Sequence, residues 1–277
     1  MKKIISTVLV AAMMTTMLVA CGSSEGTDTA TKEETTAVEA TTTTADDTVS
    51  SDITTVTDGK LTMATNAYFP PYEFYEGDAI VGIDAEIAAA IAEKLGLELV
   101  IEDMEFDSII TAVSTGKADM GLAGMTVTEE RLQNINFSTS YATGVQAVIV
   151  KADSGITSLD DLAGKTVGVQ LATTGDIYAS DDDTFGGVDQ YNKGNDAVMA
   201  LTQGKVDAVI IDNEPAKSYV AMTEGLTILD TEYAVEEYAA CIAKENDALL
   251  EAVNAALEEL QADGTLDLIV AKYIVAE

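Results

Sequence analysis

The chain has 277 residues, enough for two lobes of ordinary size, and 47% of them are apolar, so a real core is within reach. Acidic residues outnumber basic ones 48 to 14, and a formal charge of -34 excludes a surface that grips phosphate backbones, hence nucleic acid. Histidine and tryptophan are absent and cysteines number two. This removes histidine-based triads, histidine-ligated metals and four-thiolate zinc, and neither metal nor cofactor is expected.

Residues 1–20 read as a targeting leader. Lys2 and Lys3 precede a charge-free apolar run from Ile4 to Ala20, which ends at Leu18-Val19-Ala20-Cys21 before Gly22-Ser23-Ser24. The run is slightly short for a membrane span, which needs about 20 apolar residues. Its ending resembles the bacterial lipobox, in which the cysteine is lipidated. Cys21 is therefore expected to hold the mature chain by lipid to the outer face of the cytoplasmic membrane. Residues 21–57 read as a tether: thirteen of the 31 residues from Thr27 to Thr57 are threonine and acids are scattered among them. Such a segment buries too little surface to offset its ordering entropy.

From residue 58 onward, short apolar runs alternate with helical stretches. Residues 61–65 read as a strand. Residues 84–95 read as a helix with Asp84 as cap and Gly96 as stop. A strand at 97–101, a helix at 106–115 stopped by Gly116 and a strand at 120–123 follow. Residues 158–163 read as a short helix, with Asp161 three residues beyond its cap. Strands are expected at 166–170, 206–211 and 238–243, and helices at 195–203 and 246–262. This alternation implies α/β architecture with largely parallel sheets. A weak repeat supports two similar halves: Ala112-Val-Ser-Thr-Gly-Lys-Ala-Asp119 returns as Ala200-Leu-Thr-Gln-Gly-Lys-Val-Asp207. Carried onward, the two copies reach Gly124 and Asp212 just beyond two equivalent strands, where open α/β sheets bind ligands.

Several blocks, in order, resemble the family 3 extracellular solute-binding proteins, the polar amino-acid receptors of ABC importers. They are Asn66-Ala-Tyr-Phe-Pro-Pro-Tyr-Glu-Phe74, Val81-Gly-Ile-Asp84 and Asp119-Met-Gly-Leu-Ala-Gly-Met-Thr-Val-Thr-Glu-Glu-Arg131. Phe137-Ser-Thr-Ser-Tyr141, Asp161-Leu-Ala-Gly-Lys-Thr-Val-Gly-Val169, Asp212-Asn-Glu-Pro215, Asp263-Gly-Thr-Leu266 and Lys272-Tyr273 continue the pattern. The resemblance implies a two-lobed, type II periplasmic-binding-protein-like fold. Residues 58–144 with 236–277 would form one lobe and 149–232 the other, joined by two crossover strands.

The resemblance also implies a site. Arg131, the only arginine in the chain, would take a ligand's α-carboxylate through its planar fork, helped by the Thr126 hydroxyl and the backbone around Gly124. Asp212 would take the α-ammonium group, although it also suits a helix N-cap. Phe69 and Phe106 match an aromatic clamp. Thr173 and Thr174 match a second-lobe loop that binds the carboxylate, with Ala172 where the pattern has glycine. Asn66 and Gln170, both neutral amides, suit a neutral polar side chain such as that of glutamine. Glu73 and Asp84 read as a solvated surface acid and a helix cap, and would favour a cationic ligand if either reached the pocket. An acidic ligand is disfavoured because no second arginine exists.

The expected function is a lipid-anchored receptor that delivers a polar amino acid to an ABC permease, with no catalysis. The rival is a secreted arogenate or prephenate dehydratase on the same fold, for which Glu73 would be the acid. Cys241 is expected to be a buried, unpaired thiol.

Overall fold

A computed structural model describes residues 53–230 and 233–274. The expected leader and Cys21 lie outside the described residues, as does most of the expected tether. The tether was expected to run to residue 57, yet Ile53 packs against the core and the Val56 N–H donates to Asp119 at 2.6 Å. The last threonine-rich turn is thus part of the fold, because Ile53 finds apolar neighbours and the Val56 backbone finds an acceptor.

The first half of the chain builds β1 (Lys60–Thr65), β2 (Tyr68–Phe69), β3 (Glu73–Glu76), β4 (Ala79–Val81), α1 (Ile83–Leu95), β5 (Glu98–Asp103), α2 (Phe106–Ser114), β6 (Met120–Gly121) and β7 (Ile135–Phe137). Next come β8 (Ala142–Lys151), β9 (Thr166–Gln170), α3 (Thr174–Asp181), β10 (Gly187–Tyr191), α4 (Gly194–Thr202) and β11 (Ala208–Asp212). The chain closes with α5 (Asn213–Met222), β12 (Leu226–Ile228), β13 (Ala234–Tyr238), β14 (Cys241–Ala243), α6 (Asp247–Ala262) and α7 (Thr265–Tyr273).

Two larger sheets carry the fold. One has the order β5-β1-β6-β14-β7, the other β10-β9-β11-β8-β12 with β13 paired to β8. Each has three parallel strands linked through helices, in the order second, first, third, followed by an antiparallel return strand. The internal repeat sits at the same place in both. The Lys117 N–H donates to Ala112 O and the Lys205 N–H to Ala200 O, at 2.8 and 2.9 Å. Asp119 then takes the Thr62 N–H at 2.7 Å and Asp207 takes the Thr166 N–H at 2.9 Å, each carboxylate fastening the neighbouring first strand. The architecture is the expected α/β, two-lobed, type II fold.

Two expectations are corrected. Residues 238–243 are not one strand: β13 pairs with β8 and β14 pairs with β6 and β7, so the chain changes sheet at Ala239 and Ala240. Asp84 does not cap α1. The cap is Gly82, and Asp84 lies inside the first turn with 0% exposure. Gly96 and Gly116 do end their helices in left-handed backbone, at φ 67° and 69°, a conformation glycine adopts without strain. The short helix is a 3-10 turn, Leu159–Leu162, held by a reciprocal capping box between Ser158 and Asp161.

Candidate ligand-binding site

Four strand ends meet in one cleft. Asn66 follows β1, Ala123 and Gly124 follow β6, Gln170 ends β9 and Asp212 ends β11. Parallel strands aim these positions the same way, which is why open α/β sheets bind at their carboxyl ends. The cleft is lined by all ten expected residues: Asn66, Phe69, Phe106, Gly124, Thr126, Arg131, Gln170, Thr173, Thr174 and Asp212. Glu73 and Ala123 complete the lining.

Arg131 opens a 3-10 turn, Arg131–Gln133, and is 6% exposed. Nη1 donates to Thr126 O at 2.7 Å and Nη2 donates across the cleft to Ala172 O at 2.9 Å. The guanidinium lies 5.4 Å from the centre of the Phe106 ring, a cation–π contact that orients it. Burial pulls its pKa down, and the charge of Glu236 is the largest influence holding it up. Phe106 serves two surfaces, since it also packs in a core cluster with Ile109 and Ala112. Phe69 stacks on Tyr72 with ring centres 5.8 Å apart. Gly124 has φ 52°, and a Cβ there would lie 2.7 Å from Phe69 Cε1, so only glycine lets this ring reach the cleft.

Asp212 is 7% exposed, and its side chain makes no cap bond to α5. It accepts the Tyr238 hydroxyl instead. Burial pushes its pKa up to about 7, with the charge of Glu236 adding to the rise and the Tyr238 hydroxyl opposing it. The amides Asn66 and Gln170 occupy equivalent strand ends and meet directly, Gln170 Nε2 donating to Asn66 Oδ1 at 3.0 Å. Asn66 Nδ2 donates to Met104 O and Gln170 Nε2 also reaches Asn192 O.

The threonines behave differently from expectation. Thr173 is the N-cap of α3, accepting the Asp176 N–H at 3.3 Å and donating to Gln170 O at 2.7 Å. The Thr126 and Thr174 hydroxyls both donate to Glu236 Oε2, at 3.0 and 2.9 Å. A hydroxyl has one proton, so neither has a proton left for a ligand in this arrangement, and Thr174 Oγ1 also accepts Gln146 Nε2 at 3.4 Å. Ala172 adopts the left-handed backbone of the glycine it replaces, at φ 64°. Its N–H donates to Asp176 Oδ2 at 2.9 Å, which with the Arg131 bond fixes the loop.

Two acids, expected as a solvated surface acid and a helix cap, are buried. Glu73 is 1% exposed and Asp84 0%. The β2–β3 register sets Glu73 opposite Phe69, which turns its side chain inward. Glu236 and Gln146, 5% and 0% exposed, were not anticipated. They meet on the crossover strands, Gln146 Nε2 donating to Glu236 Oε2 at 3.1 Å. The only signal was a polar residue beside an apolar run, Ala147 to Val150, whose partner strand could not be identified before the register was known. Cys241 is a buried free thiol, its pKa pushed up to about 12 by burial.

A family model for the bacterial extracellular solute-binding proteins, family 3, matches residues 61–276. The arginine-binding extracellular protein ArtP of Bacillus subtilis (strain 168) is 35% identical over 275 residues, covering 97% of both chains. An ancestral arginine-binding protein bound to glutamine superposes with a TM-score of 0.76 at 39% identity, covering 79% of this chain and all of the other. A structure of an ancestral arginine-binding protein bound to arginine gives 0.72 at 41% identity, covering 78% of this chain and 98% of the other.

Proposed function

The chain belongs to the bacterial extracellular solute-binding proteins, family 3, and on that premise we propose that it captures a free polar amino acid in the cleft and delivers it to an ABC permease. The observation that carries this reading is one cavity lined by the sole arginine and by a buried aspartate from the other lobe, Arg131 and Asp212. Arg131 takes the α-carboxylate and Asp212 the α-ammonium group, while Phe69 and Phe106 cover the aliphatic carbons. With the Thr126 and Thr174 protons directed at Glu236, Arg131 and backbone N–H groups carry the carboxylate. Lipid on Cys21 holds the receptor at the outer face of the membrane, and the lobes divide at 58–144 with 236–277 and 149–232.

The side chain of the ligand meets acceptors. Gln170 Nε2 already donates twice within the protein and Asn66 Nδ2 once, and Glu73 lines the cavity with two buried oxygens that no standing donor reaches among the described residues. The amide pair alone favours glutamine. Adding Glu73 moves the preference to a side chain rich in donors, so arginine binds most tightly, glutamine next and glutamate last. The arginine-binding relatives support this order. Calorimetric titration of the mature chain with these three amino acids at one salt concentration tests it, and tightest binding by glutamate would overturn the assignment. Incubation with prephenate tests the dehydratase alternative, since product absorbance would replace the receptor reading with an enzyme.

A further inference from the structure

Behind the cleft wall three carboxylate oxygens are buried together with no standing donor among the described residues: Glu73 Oε1, Glu73 Oε2 and Asp84 Oδ1. The remaining oxygen of Asp84 is fully engaged, accepting the Gly124 N–H and the Tyr141 hydroxyl, each at 2.8 Å. Asp84 is therefore fastened as the anionic partner, and Glu73 faces the cavity. Two carboxylates side by side cannot both remain charged in a desolvated wall, whereas one proton between them supplies the donor that both lack. We propose that Glu73 and Asp84 share one proton, and that a cationic ligand side chain displaces it on binding, so that the cleft reads side-chain charge by exchanging one positive charge for another.

The proposal rests on the amino-acid reading above, with the ligand's side chain directed at Glu73. Its balance is simple. Before binding, Glu73 is a neutral acid hydrogen-bonded to the Asp84 carboxylate. A guanidinium or ammonium group then takes the place of the proton against Glu73, the proton leaves to solvent, and the net charge of the wall is unchanged. A neutral side chain such as glutamine's leaves the proton in place. The groups facing Glu73 agree with a protonated resting state. Asp84 comes from α1, Asp212 from β11 and Asp103 from β5, and all add to the rise of Glu73 well above the ordinary carboxylate range, of which burial is the main cause. Tyr72, Tyr141 and Tyr219 also face it, each pushed up in turn chiefly by burial. Asp84 itself is pushed up by burial to about 6, held back by Gly124, Tyr141 and the bond to Glu73. Arg131 is the cation lining the same cavity, and it is committed to Thr126, Ala172 and the face of Phe106.

The experiment is calorimetry of the full mature chain with L-arginine and L-glutamine at pH 7, in two buffers of different ionisation enthalpy. Because the ligands share a zwitterionic head, any proton exchanged at Asp212 cancels between them. Arginine is expected to release about one proton more than glutamine, and the arginine-to-glutamine affinity ratio to fall about tenfold per pH unit on acidification. Glu73→Gln should abolish both the difference and the arginine preference, and a cooperative thermal melt like the parent's shows that the variant folds. Tight arginine binding with no extra proton overturns the shared proton and leaves the ligand reading intact. Failure of arginine to bind removes the ligand reading and this proposal with it. The wild-type buffer comparison decides even if the variant does not fold.

Discussion

Asp212→Asn should make the empty receptor more stable while ruining its function. The carboxyl is raised from 3.8 to about 7, chiefly by burial. Between those values the folded chain holds a proton that the unfolded chain has released. Stability therefore falls as pH rises through that window, and the contribution is fully lost above about pH 7. At about 1.4 kcal/mol per pH unit, the displacement sets a ceiling of about 4 kcal/mol at neutral pH. Relaxation and water penetration lower such ceilings. Asparagine cannot ionise, yet its oxygen still accepts the Tyr238 hydroxyl. The ligand-free variant should gain about 2 kcal/mol at pH 7, seen as a Tm higher by about 4–8 °C, with the gain vanishing near pH 4. Affinity for the amino acid should fall at least about a hundredfold, or about 2.8 kcal/mol, because the ligand's ammonium loses its counter-charge in a desolvated cleft. Thermal melts from pH 4 to 8 and calorimetry at pH 7 read both quantities. A variant less stable than its parent at pH 7, or a gain independent of pH, would refute Asp212 as a desolvated carboxyl. Unchanged affinity would remove it from the site.

Arg131→Lys keeps the charge but loses the planar fork, the two carbonyl bonds and the stacking on Phe106, so affinity should drop at least about tenfold, or about 1.4 kcal/mol; unchanged affinity by calorimetry would take Arg131 out of the cleft. Ala172→Gly relieves a left-handed alanine, and denaturant unfolding should show a gain of up to about 1 kcal/mol, with a loss contradicting the loop geometry. Cys21→Ser should leave the head unattached, and fractionation that still finds it in the membrane would contradict lipidation.

Much of the architecture was legible because each lobe repeats a local rule. The helix–glycine–strand segments ending at Asp119 and Asp207 announce themselves in sequence, and both carboxylates fasten the first strand of their sheet. The site was legible where the repeat carries residues just beyond strand ends, at Gly124 and Asp212, whereas Asn66 and Gln170 came from the family resemblance. What stayed hidden depends on pairing across long separations. Glu236 lies opposite Gly144 only because β13 pairs with β8. There the alternation is inverted, with Val235 at 64% exposure and Glu236 at 5%. The buried hairpin acid Glu73 and the anchored Asp84 were misread for the same reason, since a charged residue near a turn looks solvated until the opposing element is known. Residues 238–243 form one apolar run, and no periodicity records that the chain changes sheet within it.

The central claim is that the cleft holds a zwitterionic amino-acid head between Arg131 and Asp212. Calorimetric titration of the mature chain with L-arginine, its α-N-acetyl derivative and its methyl ester, at one pH and salt concentration, tests it most directly. Blocking either end leaves Arg131 or Asp212 buried without its partner, so both derivatives should bind at least about a hundredfold more weakly than the free amino acid. Derivatives that bind as tightly as L-arginine would contradict the account.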